Sequence, residues 1–474
     1  MNIKTEVIEL VEKKRRLFCQ TGDAVWDHPE IGFEEYASAD ILIHALEQEG
    51  FAVEQGLAGM KTAFRAVWGS GHPVIGFLGE FDALAGFSQR AGCTHAEPLQ
   101  EGAPGHGCGH NLLGAGSLGA AVAVKDYLSA HGLEGTVVCY GCPAEETGCG
   151  KVFMARDGVF NELDAAITWH PDCITRVITT STLADSMMVF RFQGVPAHAA
   201  ATPHLGRSAL DAAELMNVGV QFLREHMIDS ARVHYAFLDV GGQAPNVVQS
   251  SAALYYDVRA PKLEQVRELV PRVVHIAQGA AMMTDTQVTT EITSGMSDYV
   301  PNLTLSRAMG QAMEELGDIP FSEQALAQSR EFGPKLTTEA AQSRAEIAPY
   351  FSKEEADRLA GGPILARPLP YQEKGGCLSG STDVGDVSYV VPTAQCNVAT
   401  AAFGTQVHTW QMTAQGKSEI AHEGMLHAAK IMAYTALKLV EDPELLKKAQ
   451  AEHRETAGAY TCPIPKELKP VAVR

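Results

Sequence analysis

The chain has 474 residues, of which 46% are hydrophobic and 20% charged, and its formal net charge at pH 7 is -20. This length exceeds one ordinary compact core and predicts two globular domains. The negative charge argues against binding to nucleic acid or anionic lipid and favours small-molecule partners. No apolar run reaches the roughly 20 residues of a membrane-spanning helix, and the first residues alternate charged and apolar side chains, so we expect a cytoplasmic protein without membrane contact.

In the first third of the chain, strand-like and helix-like segments alternate. The short β-rich runs PVIGFLGEFDAL and GTVVCYGCPAEE flank the helical pattern NLLGAGSLGAAVAVKDYLSAHG. The order strand, helix, strand predicts a βαβ unit with parallel strands. Ligands of such sheets bind beyond the carboxyl ends of the strands, which is where the sequence has Glu80, Asp82, Glu145 and Glu146.

The pattern changes from about Asp185. Strand-like DSMMVFRFQG, ALYYDVRAP and TDTQVTTEIT alternate with helical patterns that begin at Gly206 and Leu263. This order predicts a small α+β layer over 185–299, inserted between the two parts of a first domain, 1–184 and 300–474. Helical character resumes after Pro301, and SEIAHEGMLHAAKIMAYTALKLV predicts a long final helix, whereas 321–376 has no clear pattern.

The segment PGHGCGHNLLGAG places Cys108 two residues before His110, on a turn flanked by glycines. Thiolate, imidazole and carboxylate groups bind divalent first-row metals, and a catalytic metal keeps one coordination position open for water. A single Cys-x-His pair is weak evidence, because most such pairs in cytosolic proteins have no metal function.

Other candidate ligands follow at strand ends and in loops. Glu145 and Glu146 follow a strand and point in opposite directions, so one could bind metal while the other acts as general base; alone, they equally fit a solvated acidic turn. A lone histidine is more often a satisfied core or surface residue. Together, however, five such residues argue against coincidence and indicate a metal site: Cys108, His110, Glu146, His170 and His408.

These residues lie in motifs that resemble metallopeptidase family M20, and within it the amidohydrolase branch with a cysteine ligand. The similar segments follow the family's order and span nearly the whole chain: WDHPEIGFEEYASADIL, GEFDAL, GHGCGHNLLGAG, PAEETGCGKVFMARDGVF, ITWHP, GVPAHAAATPHLGRSALDA, PNVVQSSAALYYDVRAP and STDVGDVS. The resemblance implies an α/β fold, with a mixed-sheet catalytic domain and an inserted α+β lid or dimerisation domain.

The resemblance also implies a site with two divalent metal ions per subunit. Manganese or zinc is expected first, and cobalt or nickel also suits the implied ligands, which are Cys108, His110, Glu146, His170 and His408. Glu145 would be the general base, taking a proton from a water between the cations; the resulting hydroxide attacks the amide carbonyl, and Glu145 passes the proton to the leaving amine. Asp82 matches an aspartate that steadies a ligand histidine or the catalytic carboxylate.

Further residues are implied less directly. Glu80 stands where many other branches have a ligand histidine, and its role stays open. In the lid, His198 matches a histidine that stabilises the oxyanion in a neighbouring subunit's site, while Asn246 and Arg259 match substrate-binding positions, the arginine being suited to a carboxylate. An arginine that some relatives carry at the end of the lid is absent from SGMSDYVPN. The implied partners are a second copy, joined through the lids, and a homologous second subunit.

The predicted function is metal-dependent hydrolysis of an N-acyl amino acid, with an aromatic acyl group on an acidic amino acid as the first candidate. Alternative substrates are a dipeptide or another N-acyl amino acid, including auxin-type conjugates. Two other classes compete with this prediction. Gly114, Gly116 and Gly119 satisfy the GxGxxG pattern of dinucleotide-binding oxidoreductases, but no strand precedes them. A non-catalytic partner subunit would be expected to lack a ligand or the base, and none is missing.

Overall fold

Two β-sheets organise the protein, for which a computed structural model describes residues 2–333 and 337–472, apart from the side chains of 337–339. The strands are β1 (Ala52–Gln55), β2 (Phe64–Ser70), β3 (Val74–Glu80), β4 (Gly135–Cys142), β5 (Ala165–Asp172), β6 (Arg176–Val177), β7 (Ala184–Gln193), β8 (Arg232–Asp239), β9 (Ser251–Ala260), β10 (Gln287–Met296) and β11 (Thr393–Ala399). A seven-stranded main sheet has the order β1-β2-β4-β3-β5-β11-β6, and a four-stranded sheet has the order β10-β7-β9-β8.

Helices cover both sheets and connect their strands. They are α1 (Ile3–Lys13), α2 (Arg15–Trp26), α3 (Tyr36–Gln48), α4 (His110–His131), α5 (Gly150–Arg156), α6 (Ala209–Leu223), α7 (Leu263–Met283), α8 (Leu303–Leu316), α9 (Glu323–Phe332), α10 (Thr337–Ile347), α11 (Lys353–Ala360), α12 (Val384–Val390), α13 (Trp410–Gln415), α14 (Glu419–Glu441) and α15 (Pro443–Thr456). Within the described part of the chain, none of these helices combines the length and apolar character needed to span a bilayer.

The main sheet is mixed, and its central strands are parallel. β3 pairs in parallel with β4 and with β5, and β11 pairs in parallel with β5. β1, β2 and the short β6 pair antiparallel with their neighbours. This arrangement confirms the predicted α/β class with a mixed sheet. Because β3, β4, β5 and β11 run in one direction, the segments that follow them meet at the same edge of the sheet.

Helix α4 connects β3 to β4 and packs against the main sheet, so the predicted βαβ unit is present. The helix is buried along most of its length. A Cβ at Gly116 would come within 2.7 Å of the Trp169 ring, so this glycine allows the helix to approach the sheet closely. All three glycines of the GxGxxG pattern lie inside α4, which removes the strand-to-helix turn that dinucleotide binding requires.

The four-stranded sheet and helices α6 and α7 form a separate layer with its own core, which we call the lid. One face of this sheet packs on the two helices through side chains such as Phe190 and Tyr256. The strands span Ala184–Met296, inside the predicted range 185–299 apart from Ala184. Strand β8, with the residues RVHYAFLD, was not predicted from the sequence and lies at one edge of the sheet.

Two predictions about the last part of the chain need correction or completion. The helix predicted over SEIAHEGMLHAAKIMAYTALKLV is α14, but it is not final, because α15 follows. Asp442 caps α15 by accepting the backbone N–H groups of Glu444 and Leu445, so the chain restarts a helix at Pro443. The stretch 321–376, for which no pattern was clear, contains α9, α10 and α11.

Candidate active site and metal centre

The predicted metal ligands converge at the carboxyl edge of the main sheet. Cys108 precedes α4, His110 begins it, Glu146 follows β4, His170 lies near the end of β5, and His408 lies in the loop after β11. The parallel direction of β4, β5 and β11 brings these segments together. Residues that are far apart in the sequence therefore become neighbours through the sheet.

Two groups of ligand atoms share the Cys108 thiol. One group consists of Cys108, His110 and His170, and the other of Cys108, Glu146 and His408; within each group the ligand atoms lie within 4.8 Å of one another. The Sγ atom of Cys108 lies 3.3 Å from Nε2 of His170, and Nε2 of His408 lies 3.3 Å from Oε1 of Glu146. Two ligand groups that meet at one thiol suit a pair of neighbouring cations.

Hydrogen bonds orient two of the histidine rings. His110 donates from Nδ1 to Oδ1 of Asp82 at 2.9 Å, and His170 donates from Nδ1 to the backbone oxygen of Pro171 at 2.8 Å. Each neutral ring therefore keeps Nε2 as an acceptor that can bind metal. Asp82 also accepts the backbone N–H of Glu146 at 2.9 Å, so one carboxylate positions two of the predicted ligands.

The backbone around the ligands is unusual at two positions. Gly109, between Cys108 and His110, has a φ of 79°, and a Cβ there would lie 2.8 Å from Met412 and 2.9 Å from Pro171. Both its conformation and the available space therefore require glycine. His408 has a φ of 60°, which is uncommon for a residue with a side chain and is often found at functional sites.

Several polar atoms at this edge are buried without hydrogen-bond partners among the described residues. They are Oε2 of Glu80, Nε2 of His110 and Oε1 of Glu146. A buried polar atom without a partner destabilises the folded state, and a cation bound by these atoms would remove that cost. The orphaned atoms and the mixed thiol, imidazole and carboxylate donors therefore fit divalent transition metals.

The adjacent residues Glu145 and Glu146 have different surroundings. Although burial opposes ionisation, neighbouring His408 and His110 lower the pKa of Glu146 to about 2. Burial and the carboxylates of Glu80 and Glu146 raise the pKa of Glu145 well above its ordinary value. A carboxylate that stays ionised suits metal binding, whereas one with a raised pKa suits proton transfer near neutral pH.

Glu80, whose role the sequence left open, belongs to a buried ion cluster behind the metal ligands. Lys151 donates from Nζ to Oε1 of Glu80 at 2.6 Å and to Oδ1 of Asp383 at 2.5 Å, and all three side chains are buried. Burial alone would raise the pKa of Glu80, but Lys151 holds it below its ordinary value. Oε2 of Glu80 lies 3.3 Å from Nε2 of His110, so Glu80 connects the lysine to the ligand cluster.

Glu35, which was not among the predicted site residues, supports the turn that carries Glu145 and Glu146. Its Oε1 accepts the backbone N–H groups of Phe33 at 2.9 Å and Ala144 at 2.8 Å, and its Oε2 accepts the Thr62 hydroxyl at 2.9 Å. Ala144 has a φ of 58° and immediately precedes Glu145. The sequence signal was the place of Glu35 in the motif WDHPEIGFEEYASADIL, for which no residue role was assigned.

The predicted lid residues have a more open environment. His198 and Asn246 are exposed, and the two segments are joined by the Ala199 N–H, which donates to the Asn246 backbone oxygen at 2.9 Å. Among the described residues, no hydrogen bond links either side chain to the predicted metal ligands. Arg259 is half-buried, and its side chain contacts a residue outside the lid: Nη1 lies 3.4 Å from Oγ of Ser381.

A cavity of about 210 Å³ opens beside His170. Arg176 lines it from the main sheet, and Ser343 and Glu346 line it from α10. Arg176 donates from Nη1 to Oε2 of Glu346 at 2.8 Å. Helix α10 therefore provides one wall of a polar cavity next to a predicted metal ligand.

The chain is similar to known proteins over most of its length. The model of a family described as peptidase family M20/M25/M40 matches residues 76–459. A subunit of the p-aminobenzoyl-glutamate hydrolase of Escherichia coli (strain K12) is 46% identical over 468 residues, which cover 98% of this chain and 97% of the relative. The Xaa-Arg dipeptidase of Homo sapiens is 28% identical over 466 residues, covering 94% of this chain and 90% of the relative.

The fold is also similar to that of a solved structure. The aminobenzoyl-glutamate utilization protein from Klebsiella pneumoniae superposes with a TM-score of 0.62 at 18% sequence identity, and the match covers 91% of this chain and 97% of that chain. At this level of identity the likeness concerns the fold.

Proposed function

The chain belongs to peptidase family M20/M25/M40 and is a hydrolase that acts on amide bonds, and we propose that it splits N-acyl amino acids with the help of two bound divalent cations. The observation that carries this proposal is the pair of ligand groups that share Cys108, with Glu145 beside them. The residues proposed to hold the cations are Cys108, His110, Glu146, His170 and His408.

Glu145 is the proposed general base. Divalent cations bound at the site would lower the pKa of a water and polarise the amide carbonyl. Glu145 accepts the proton of the attacking water and donates it to the leaving nitrogen, a role that its raised pKa supports. Asp82 positions His110 and the backbone of Glu146 through its two oxygens.

The proposed substrate is an aromatic acyl group joined to an acidic amino acid, p-aminobenzoyl-glutamate being the first candidate. The support is the name of the Escherichia coli relative, to which the chain is similar over nearly its full length. That name describes one of the subunits of a hydrolase, so a homologous second subunit is a proposed partner as well. Arg259 and Asn246 are proposed to bind the substrate's carboxylate from the lid.

A dimer joined through the lids is also proposed. Leu215, Val218 and Phe222 lie on one side of α6, and the last two are 52% and 71% exposed. In the sheet on which α6 packs, β8 is an edge strand. Two copies that meet across a two-fold axis would cover the stripe and pair the edges. In such a dimer, His198 of one copy would serve the partner's site and stabilise the oxyanion.

The test combines metal analysis with amide hydrolysis. Metal content is measured for wild type and Cys108→Ala, and activity is measured on a panel of N-acyl amino acids and dipeptides, before and after chelation. We expect two divalent ions per wild-type chain, less metal in Cys108→Ala, and loss of activity on chelation that added metal reverses.

Cys139→Ala is the matched control, because Cys139 is also a buried thiol but lies within β4. This variant should retain its metal, so that loss of metal in Cys108→Ala is not a general effect of removing a buried sulfur. Full activity in exhaustively demetallated protein would contradict the proposed function.

A further inference from the structure

A cavity of about 520 Å³ lies where the lid sheet faces residues 377–379. In the antiparallel pair of β8 and β9, Arg232 is opposite Arg259 and His234 is opposite Asp257. Since side chains alternate along a strand, these four lie on the same face of the sheet, and all four line the cavity. The opposite face of the sheet carries the apolar core against α6 and α7.

The lining of this cavity is cationic, although the whole chain has a net charge of -20. Arg259 is partly neutralised, because its Nε donates to Oδ2 of Asp257 at 2.6 Å and its Nη2 lies 4.0 Å from Oδ2 of Asp185. Arg232 instead donates to the backbone oxygens of Asp229 and Ala231. No carboxylate of the described residues lies within 4.0 Å of its guanidinium.

Two like charges directly opposite each other destabilise a pair of strands. An anion bound between Arg232 and Arg259 would turn this repulsion into attraction on both sides. The cavity is open enough to admit such a group, since Arg232 and His234 are both exposed to it. The arrangement therefore fits an anionic ligand.

The segment after residue 379 connects this cavity to the proposed catalytic edge. Ser381 contacts Arg259 through its Oγ atom. Two residues later, Asp383 accepts a hydrogen bond from Lys151, which also binds Glu80 beside the metal ligands. The cavity thus lies next to the same short segment that braces the ligand cluster.

We propose that this cavity binds a second carboxylate of the substrate, the side-chain carboxylate of an acidic amino acid, and that Arg232 is a specificity-determining residue. The inference rests on the proposed function, in which Arg259 binds the first carboxylate. Arg232 and His234 then donate to the second carboxylate through charge-assisted or neutral N–H bonds. A substrate with one carboxylate would leave the Arg232 charge without a partner.

The test compares N-benzoyl-glutamate with N-benzoyl-glutamine, which have nearly the same shape and differ in one charge. The metal-loaded wild type should prefer the glutamate conjugate in kcat/KM by about 10- to 100-fold, the range expected for one charge-assisted hydrogen bond. Arg232→Met should reduce this preference to near unity, mainly through a higher KM for the glutamate conjugate. Arg232→Lys should restore part of it.

Arg191→Met is the matched control. Arg191 lies on the same face of the lid sheet, six residues after Asp185 along β7, and does not line the cavity. This variant should keep the wild-type preference. An unchanged preference in Arg232→Met, or equal hydrolysis of the two conjugates by wild type, would overturn the inference and leave the proposed metal-dependent hydrolysis of N-acyl amino acids standing. Absence of turnover on the whole panel of N-acyl amino acids would overturn both.

Discussion

The metal-ligand edge of the main sheet and the polar face of the lid are built in opposite ways. At the edge, the proposed ligands are within a few ångströms of one another, and Asp82 and Glu35 fix their segments through buried hydrogen bonds. On the lid, His198 and Asn246 are exposed, and Arg232 faces a cavity. At the edge, the proposed ligands and their supports are buried and hold one another in place, whereas the lid presents polar side chains that are accessible from outside.

This difference has a physical reason. Metal binding and proton transfer require groups held within narrow distances, so their supports are buried and rigid. Substrate must enter and product must leave, and the groups that contact them remain accessible until they bind. Residues at the edge therefore depend on being held in fixed positions, whereas residues of the lid depend on being accessible to substrate. Substitutions at the edge should change metal content, turnover or stability, and substitutions in the lid should change substrate binding or the completion of a partner's site.

The largest effect is expected at the edge itself. Glu145→Gln removes the proposed base but no proposed ligand, so turnover should fall by about 10²–10⁴-fold while metal content stays at the wild-type level. Glu146→Gln should instead lose metal. Metal analysis and single-turnover kinetics on both variants check this. If metal content fell only in Glu145→Gln, the two roles would have to be exchanged.

A mixing experiment tests whether the lid completes a partner's site. His198→Ala and Glu145→Gln should each be nearly inactive. In a mixed dimer, a shared site would place both lesions in one active site and neither in the other, so random reassociation should restore roughly a quarter of the wild-type sites. Activity is measured after dissociation and reassociation of the two variants.

The control for this experiment is subunit exchange itself, followed with differently tagged copies. Confirmed exchange without recovery of activity would rule out the shared site. His198 would then have a role within its own chain, or none.

A smaller effect is expected from removing a support of the edge. Glu35→Ala leaves the buried N–H groups of Phe33 and Ala144 without an acceptor. We expect a loss of about 2–5 kcal/mol in unfolding free energy, together with a lower kcat because the turn before Glu145 loses its anchor. Urea unfolding and steady-state kinetics measure the two effects. Glu47→Gln, an exposed change on α3, is the control, and wild-type stability in Glu35→Ala would contradict the role of Glu35.

The last predicted effect is a pH dependence of stability at the same residue. Burial, with the nearby charge of Asp82, raises the pKa of Glu35 from 4.5 to about 8. Between these values the folded chain holds a proton that the unfolded chain releases, so unfolding free energy should fall as pH rises through this window. Glu35→Gln cannot titrate, and the stability of wild type relative to this variant should decrease from pH 5 to pH 8. A constant difference in unfolding free energy between the two proteins from pH 5 to pH 8 would contradict the raised pKa of Glu35.

Much of the fold was predictable because short-range sequence patterns indicate its strands and helices. The βαβ unit around α4 follows from apolar periodicity, and the lid follows from a change in the order of strands and helices. The edge strand β8 was missed because its exposed residues lack a clear alternation of apolar and polar side chains. The extra helix α15 depends on a local cap at Asp442 that the pattern of α14 obscured.

The sequence by itself determined the chemical types at the site: a thiol, imidazoles and two adjacent carboxylates at strand ends, with a glycine where the backbone and the space allow nothing larger. Only the tertiary structure decided that Glu80 forms an ion pair with Lys151 and that Glu35 anchors the turn before Glu145. It also decided that Arg232 lies opposite Arg259. Motifs report short-range geometry, since neighbouring residues constrain each other through the backbone. These pairs are distant in the sequence, and they meet only because parallel strands end at one edge and antiparallel strands adopt one register.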